Sequence, residues 1–414
     1  MRADMPLQSD YRRTIEGRCD PYPASILAVD SPEEAICAIL RHESTPWINV
    51  AHRAAIQRFY DAARYHGVLP LLDAQFARGD IFEAWPRDVV AAWYKSVLAC
   101  GLREPAQRAE IERVIDALAL AGVPPLVLKG TALAYSHYPA PALRPRSDTD
   151  LLIPPDQREK TARALAALGY SKGQGVGGEF ASYQQTWSRG AGNGIAHHVD
   201  VHWRINNSQI LAQAMSYDEL AARAVPLPAL GPRARALAPV DALLFACVHL
   251  TGHVNAPYFA DNAGQRGAER LIWLYDMHLL FSRMADAEQD EFAALAATKK
   301  IKTICRDALQ RTQECFATLI SQRIVDALYA PGPAEPSARY FSGGPVRQMI
   351  GDFLAFECWS DRARWLAEHA FPSQDHMRSK YPEATGTWLP ILHLRRLGTG
   401  LARMIFARKA GDRH

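Results

Sequence analysis

Asp148 and Asp150, separated only by Thr149, are the residues whose types and spacing most directly suggest chemistry in this 414-residue chain. On a strand, residues two apart point to one face. Carboxylates that close repel and raise each other's pKa unless a cation sits between them. A divalent ion removes that cost, with Mg²⁺ expected and Mn²⁺ the alternative. Asp200, flanked by Val199 and Val201, is the natural third ligand. Upstream, Leu126-Val127-Leu128 runs into Lys129-Gly130-Thr131, which reads as a strand turning into a helix. Glycine lets the backbone approach a phosphate there, and free N–H groups at a helix start favour anions. Thr131 adds a hydroxyl, and Lys129, Arg144 and Arg146 place positive charge nearby. Asp148, Asp150 and Asp200 are therefore the candidate catalytic and metal-binding residues. Lys129, Gly130, Thr131, Arg144, Arg146 and Ser147 are the candidate contacts to a nucleoside triphosphate, ATP or another.

These residues need elements to hold them. From Pro125 the text alternates strand and helix. Leu126–Leu128 reads as a buried strand, Thr131–Tyr138 as a short helix, and Asp148–Ile153 as a second strand. Pro155–Leu168 reads as a helix stopped by Gly169, with strands over Glu179–Trp187 and Ile195–Trp203. That order gives an α+β fold with a small mixed sheet. Before it, helical text runs to Gly122. Ser31 is placed to cap a helix opened by Pro32, and Ala51–His66 is stopped by Gly67. Pro86–Cys100 and Glu104–Ala121 read as two helices, each followed by glycine. After Asn206 the text is helical again, with Pro331–Gly344 read as a loop. The expected division is a helical region at 1–122, an α+β core carrying these carboxylates at 123–206 and a helical region at 207–414.

The run Leu-Lys-Gly-Thr-Ala-Leu, then Tyr138-Pro139, Arg144-Pro145-Arg146-Ser147-Asp148-Thr149-Asp150-Leu151-Leu152 and Val199-Asp200-Val201-His202-Trp203 resembles the bacterial uncharacterised nucleotidyltransferase family. That family is part of the DNA polymerase β-like nucleotidyltransferase superfamily. The resemblance implies that Gly130 and Thr131 form the phosphate turn, Asp148 and Asp150 the metal pair, and Asp200 the third carboxylate. It implies transfer of a nucleoside monophosphate to a hydroxyl, with Asp200 as general base. Two departures stand out: threonine replaces the usual serine of the turn, and a Pro-rich loop lengthens the gap from Thr131 to Asp148. The motifs cover about a quarter of the chain. The alternatives are a toxin-like transferase adding nucleotides to tRNA and a nucleotide-binding regulatory module without catalysis.

His249 and His253 lie four apart on an apolar helix, with no glutamate between them of the kind a metalloprotease needs. Helix packing with one histidine facing the cleft is the favoured reading over metal binding. Asp276 interrupts an apolar helix and needs a partner. It could orient Lys129 or an arginine, line an acceptor pocket, or form a structural ion pair. With His202, these three make a possible acceptor pocket. Gly173–Gly178 fits no nucleotide fingerprint and reads as a hairpin loop near the site, with a lid as the alternative. Phe371–Arg378 reads as a polar turn with a helix cap.

Composition sets the remaining bounds. Formal net charge is +3, from 47 basic and 44 acidic residues. A dedicated nucleic-acid binder would carry a clearer basic excess. The basic tail, Trp388–Lys409, reads chiefly as a solvated helix face. The seven cysteines are scattered, with no Cys-x-x-Cys pair, which suits reduced thiols. No run approaches the roughly 20 apolar residues that span a bilayer. The expectation is a cytoplasmic protein.

Overall fold

The computed structural model describes residues 31–43, 52–76, 82–83, 85–173, 178–190, 196–255, 258–260, 263–265, 269–342, 345–384, 386–396 and 398–399. The N-terminal helices are α1 (Pro32–Leu40), α2 (Arg53–Tyr65), α3 (Leu69–Phe76) and α4 (Arg87–Leu120). Ser31 caps α1 by accepting the Glu34 N–H. Gly67, which follows α2, takes a φ of 72° that suits glycine.

Helix α4 corrects the sequence reading. It is one 34-residue helix, with Pro105 inside it, not two helices divided at Gly101. Pro105 removes one helical bond, the one to the carbonyl four residues earlier. That carbonyl belongs to Gly101, the residue with the greatest freedom to adjust. The disturbance stays within one turn because both halves are anchored. Val89 and Trp93 are buried on one side, and Ile111, Val114, Ile115 and Leu118 on the other.

Next come β1 (Leu126–Val127), α5 (Lys129–Ser136), β2 (Thr149–Leu152), α6 (Arg158–Ala167), β3 (Ser171–Lys172), β4 (Gln184–Gly190) and β5 (Ala196–His202). Helices α7 (Gln209–Ala212) and α8 (Tyr217–Arg223) precede the strands β6 (Val225–Pro226) and β7 (Arg235–Ala236). These seven strands form one mixed sheet in the order β3-β4-β5-β2-β1-β7-β6, and Tyr258–Ala260 pairs separately with Ala263–Gln265. Strands β2 and β5 are parallel, whereas β1 with β2 and β4 with β5 are antiparallel. The α+β class and the mixed sheet agree with the sequence reading, and the sheet also draws two strands from beyond residue 206. Strand β4 starts at Gln184 rather than Glu179. The Glu368 carboxylate accepts N–H bonds from Glu179, Phe180 and Ala181, so those amides are not free for a ladder.

The C-terminal helices are α9 (Pro239–Asn255), α10 (Leu271–Arg283), α11 (Asp286–Thr298), α12 (Lys302–Phe316), α13 (Gln322–Tyr329), α14 (Pro336–Ser342), α15 (Pro345–Ala355), α16 (Trp359–Ala370) and α17 (Gln374–Lys380). Helix α14 occupies part of the expected loop, with Pro336 at its first position, where a missing N–H costs nothing. Ser373 caps α17 as expected, accepting the His376 N–H. Most of the Gly-rich stretch, and the end of the basic tail, lie outside the described residues. The six described cysteines are free thiols. Among the described residues no helix is long and apolar enough to cross a membrane.

Strand alternation gives the sheet two apolar faces. Val127, Leu151, Ile153, Val199 and Val201 pack with α4 and with Leu165 of α6. Leu126, Leu128 and Leu152 join the larger core built with α9 to α12. Asp150, Asp200 and His202 have the parity of Leu152, so they project on the second face, towards the C-terminal helices.

Burial adds a pH dependence. His137 and His253 are each pushed down from 6.5 to about 4, chiefly by desolvation. The unfolded chain therefore binds more protons than the folded one between those values. Stability is full above pH 6.5 and falls as pH drops towards 4. Urea midpoints should be lower at pH 5 than at pH 7, and a His137→Gln/His253→Gln double variant should flatten the difference.

Candidate active site

Lys129 opens α5 with a φ of 50°, left-handed backbone unusual for a side chain of this type. That turn carries its ammonium back over β2, where Nζ donates to Asp150 Oδ1 at 2.6 Å. His202 Nε2 lies 2.8 Å from the same oxygen. Burial alone would raise the Asp150 carboxyl, but Lys129 and His202 overcome it and hold it well below the usual carboxylate range.

Parallel pairing puts Asp200 directly opposite Asp150 and His202 opposite Leu152. Ligand atoms of Asp150, Asp200 and His202 all lie within 4.8 Å of one another. Asp200 Oδ1 is buried and has no hydrogen-bond partner among the described residues. Such an atom is costly unless a donor or a bound cation satisfies it. Asp148 sits just before β2, exposed at the lip of the group. Partial burial and then the charges of Asp150 and Asp200 raise its carboxyl. The structure thus gathers Asp150, Asp200 and His202 tightly, with Asp148 close enough to feel both aspartates.

The turn is built differently from its sequence reading. A Cβ on Gly130 would stand 2.7 Å from Arg144 Cζ. Glycine is required there to admit the Arg144 guanidinium. Arg144 is buried and bidentate on Asp276, with Nε to Oδ1 at 2.8 Å and Nη2 to Oδ2 at 2.7 Å. Tyr138 donates to the same carboxylate at 2.7 Å. Of the readings open for Asp276, the structure shows a buried ion pair with an arginine, and the same residue also lines the cleft beside Lys129. Gly130→Ala should cost about 1–3 kcal/mol, since the locked guanidinium has no room to give; a urea melt checks this.

Arg146 is likewise engaged, donating to Glu104 and to Tyr135 OH, each at 2.8 Å. Thr131 is buried, its hydroxyl 3.5 Å from the Asp148 carbonyl oxygen. Ser147 is exposed beside Asp148. Leu128, in the N-cap position of α5, supplies no side-chain cap. The first-turn amides are thus left to other acceptors.

Next to Lys129, helices α5, α9 and α10 enclose a cleft of about 560 Å³, counted to its open mouth and lined by Leu128, Lys129, Leu133, Phe245, His249 and Trp273. The His249 and His253 rings are 4.4 Å apart and lie 5.0 and 4.8 Å from the Trp273 ring. Burial, then Lys129, pushes both histidines down, so they stay uncharged at neutral pH. Three contributors escaped the sequence reading. Glu104 anchors Arg146, Trp273 backs the histidines, and Thr186 of β4 faces Asp200 across the ladder. Each depends on a pairing between distant segments, for which the local text carries no signal.

No curated protein matches the chain. A profile of the uncharacterised nucleotidyltransferase family matches residues 52–317, which contain β1 to β7, the carboxylate group and the cleft. With that match over more than half its length, the chain belongs to the uncharacterised nucleotidyltransferase family, whose members are transferases of phosphorus-containing groups.

Proposed function

We propose that this protein is a divalent-metal-dependent enzyme of the DNA polymerase β-like superfamily. It moves a nucleoside monophosphate from a triphosphate, ATP foremost, to a hydroxyl of a small molecule, sugar or peptide. The observation that carries this reading is the buried, unpartnered Asp200 Oδ1 opposite Asp150. Oxygen donors crowded in this way suit a hard cation. Asp148, Asp150 and Asp200 would hold it, Mg²⁺ first and Mn²⁺ as the alternative. When bound, the ion supplies Lewis-acid offset of the charge on the phosphate oxygens.

The chain's own groups account for the rest. Amides of Gly130 and Thr131 donate to the triphosphate, and the Lys129 ammonium offsets its charge. Asp200 takes the proton of the acceptor hydroxyl, whose oxygen bonds to the α-phosphorus as the bond to the pyrophosphate oxygen breaks. The cleft beside His249 and His253 receives the acceptor. Arg144 acts at one remove, by holding the Gly130 turn.

Incubation with α-labelled or γ-labelled ATP, a divalent metal and a cell extract tests this. The expected result is α label on a small molecule or peptide, with pyrophosphate released. Transfer of γ label alone, or none while nucleotide binds, removes the reading. Label on RNA overturns the acceptor assignment.

A further inference from the structure

His202 is the group in the site that a three-carboxylate metal centre leaves unexplained. It is buried, it lies two residues from Asp200 on the same face of β5, and its Nε2 points into the carboxylate group. Two ligands about 2.1 Å from one ion and at a right angle are about 3 Å apart. His202 Nε2 is hydrogen-bonded to Asp150 Oδ1 at 2.8 Å, and ligand atoms of Asp150, Asp200 and His202 lie within 4.8 Å of one another, close enough for one ion to reach all three. The Lys129 ammonium already rests on the same oxygen, so a cation is favoured there.

Building on the metal-dependent reading above, we propose that His202 is itself a metal ligand and sets the choice of metal. Mg²⁺ takes oxygen donors almost exclusively, whereas an imidazole nitrogen shifts preference to first-row transition ions. An imidazole nitrogen added to the carboxylate oxygens therefore tilts the site to Mn²⁺, the alternative named above, over the Mg²⁺ that the carboxylates alone would take. An ion held by Asp150 would compete with the Lys129 ammonium for the same carboxylate oxygen.

Mn²⁺ alone, titrated into the full chain and followed by electron paramagnetic resonance, provides the test without turnover. Wild type should bind Mn²⁺ about tenfold more tightly than Mg²⁺ and show nitrogen coupling in the pulsed spectrum. Labelling histidine with the heavier nitrogen isotope should change that coupling. His202→Gln should lose the coupling and bind Mn²⁺ about tenfold more weakly. Because His202→Gln could unfold, a His249→Phe/His253→Phe variant provides a second arm, and it should retain the coupling. Tight Mn²⁺ binding without nitrogen coupling, or coupling that survives His202→Gln, overturns the proposal and leaves the carboxylate site standing. If wild type binds neither metal, the metal-dependent reading falls with it.

Discussion

Asp200→Asn should lower nucleotidyl transfer by about 10³-fold without lowering stability, a loss of the order seen when one group that stabilises the transition state is removed. The substitution keeps the shape of the side chain and removes one of the negative charges that raise the Asp148 carboxyl. It also ends the isolation of the buried, unpartnered Oδ1 as a carboxylate oxygen. A group present for structure alone would do the opposite: its loss would cost stability and leave turnover largely intact. The contrast is Asp150→Asn, where Lys129 and His202 both lose their anionic partner. That variant should lose transfer and also about 1–3 kcal/mol of stability. Labelled transfer and urea unfolding, measured on the same preparations, separate the two cases.

The second large effect concerns the pair beneath the turn. Asp276→Leu leaves the Arg144 guanidinium buried without its anion and should destabilise the fold by about 3–5 kcal/mol. Arg144→Met/Asp276→Leu should recover most of that loss, because a buried pair replaced by apolar groups is often neutral. Activity should not recover in step. Without the guanidinium behind Gly130, the first turn of α5 loses the contact that fixes it over Asp148 and Asp150. Stability that returns while transfer stays low is the signature of positioning. Paired urea melts and transfer assays of the three proteins read it out.

Local chemistry was legible in the sequence where one short segment carries the whole signal. The strand-turn-helix at Leu126 to Ser136, the Ser31 cap and the Gly67 stop are of this kind, and so is the α+β class; the strand expected from Asp148 starts at Thr149, which leaves Asp148 just before it. Asp200 could be read as a third carboxylate, but the ladder that sets it opposite Asp150 exists only in the sheet. The Arg144–Asp276 pair joins residues 132 apart. It also changes the reason for Gly130, which admits an arginine rather than only a phosphate. Helix α4 runs through Gly101 and Pro105 because burial at both ends outweighs local propensity, which is a weak guide by itself. Strand β4 starts late because Glu368, 187 residues beyond Ala181, captures the amides before it. In each of these cases the deciding partner lies far away in the chain.

The most direct test of the three-carboxylate site is a crystal structure with Mn²⁺ and a triphosphate analogue that resists cleavage at the α-phosphorus, using anomalous scattering to locate the metal. The expected result is a metal peak about 2.2 Å from oxygens of Asp148, Asp150 and Asp200, with the triphosphate on the first-turn amides of α5. A metal or triphosphate bound elsewhere, or a full-occupancy nucleotide whose phosphates avoid the Gly130–Thr131 turn, would contradict it.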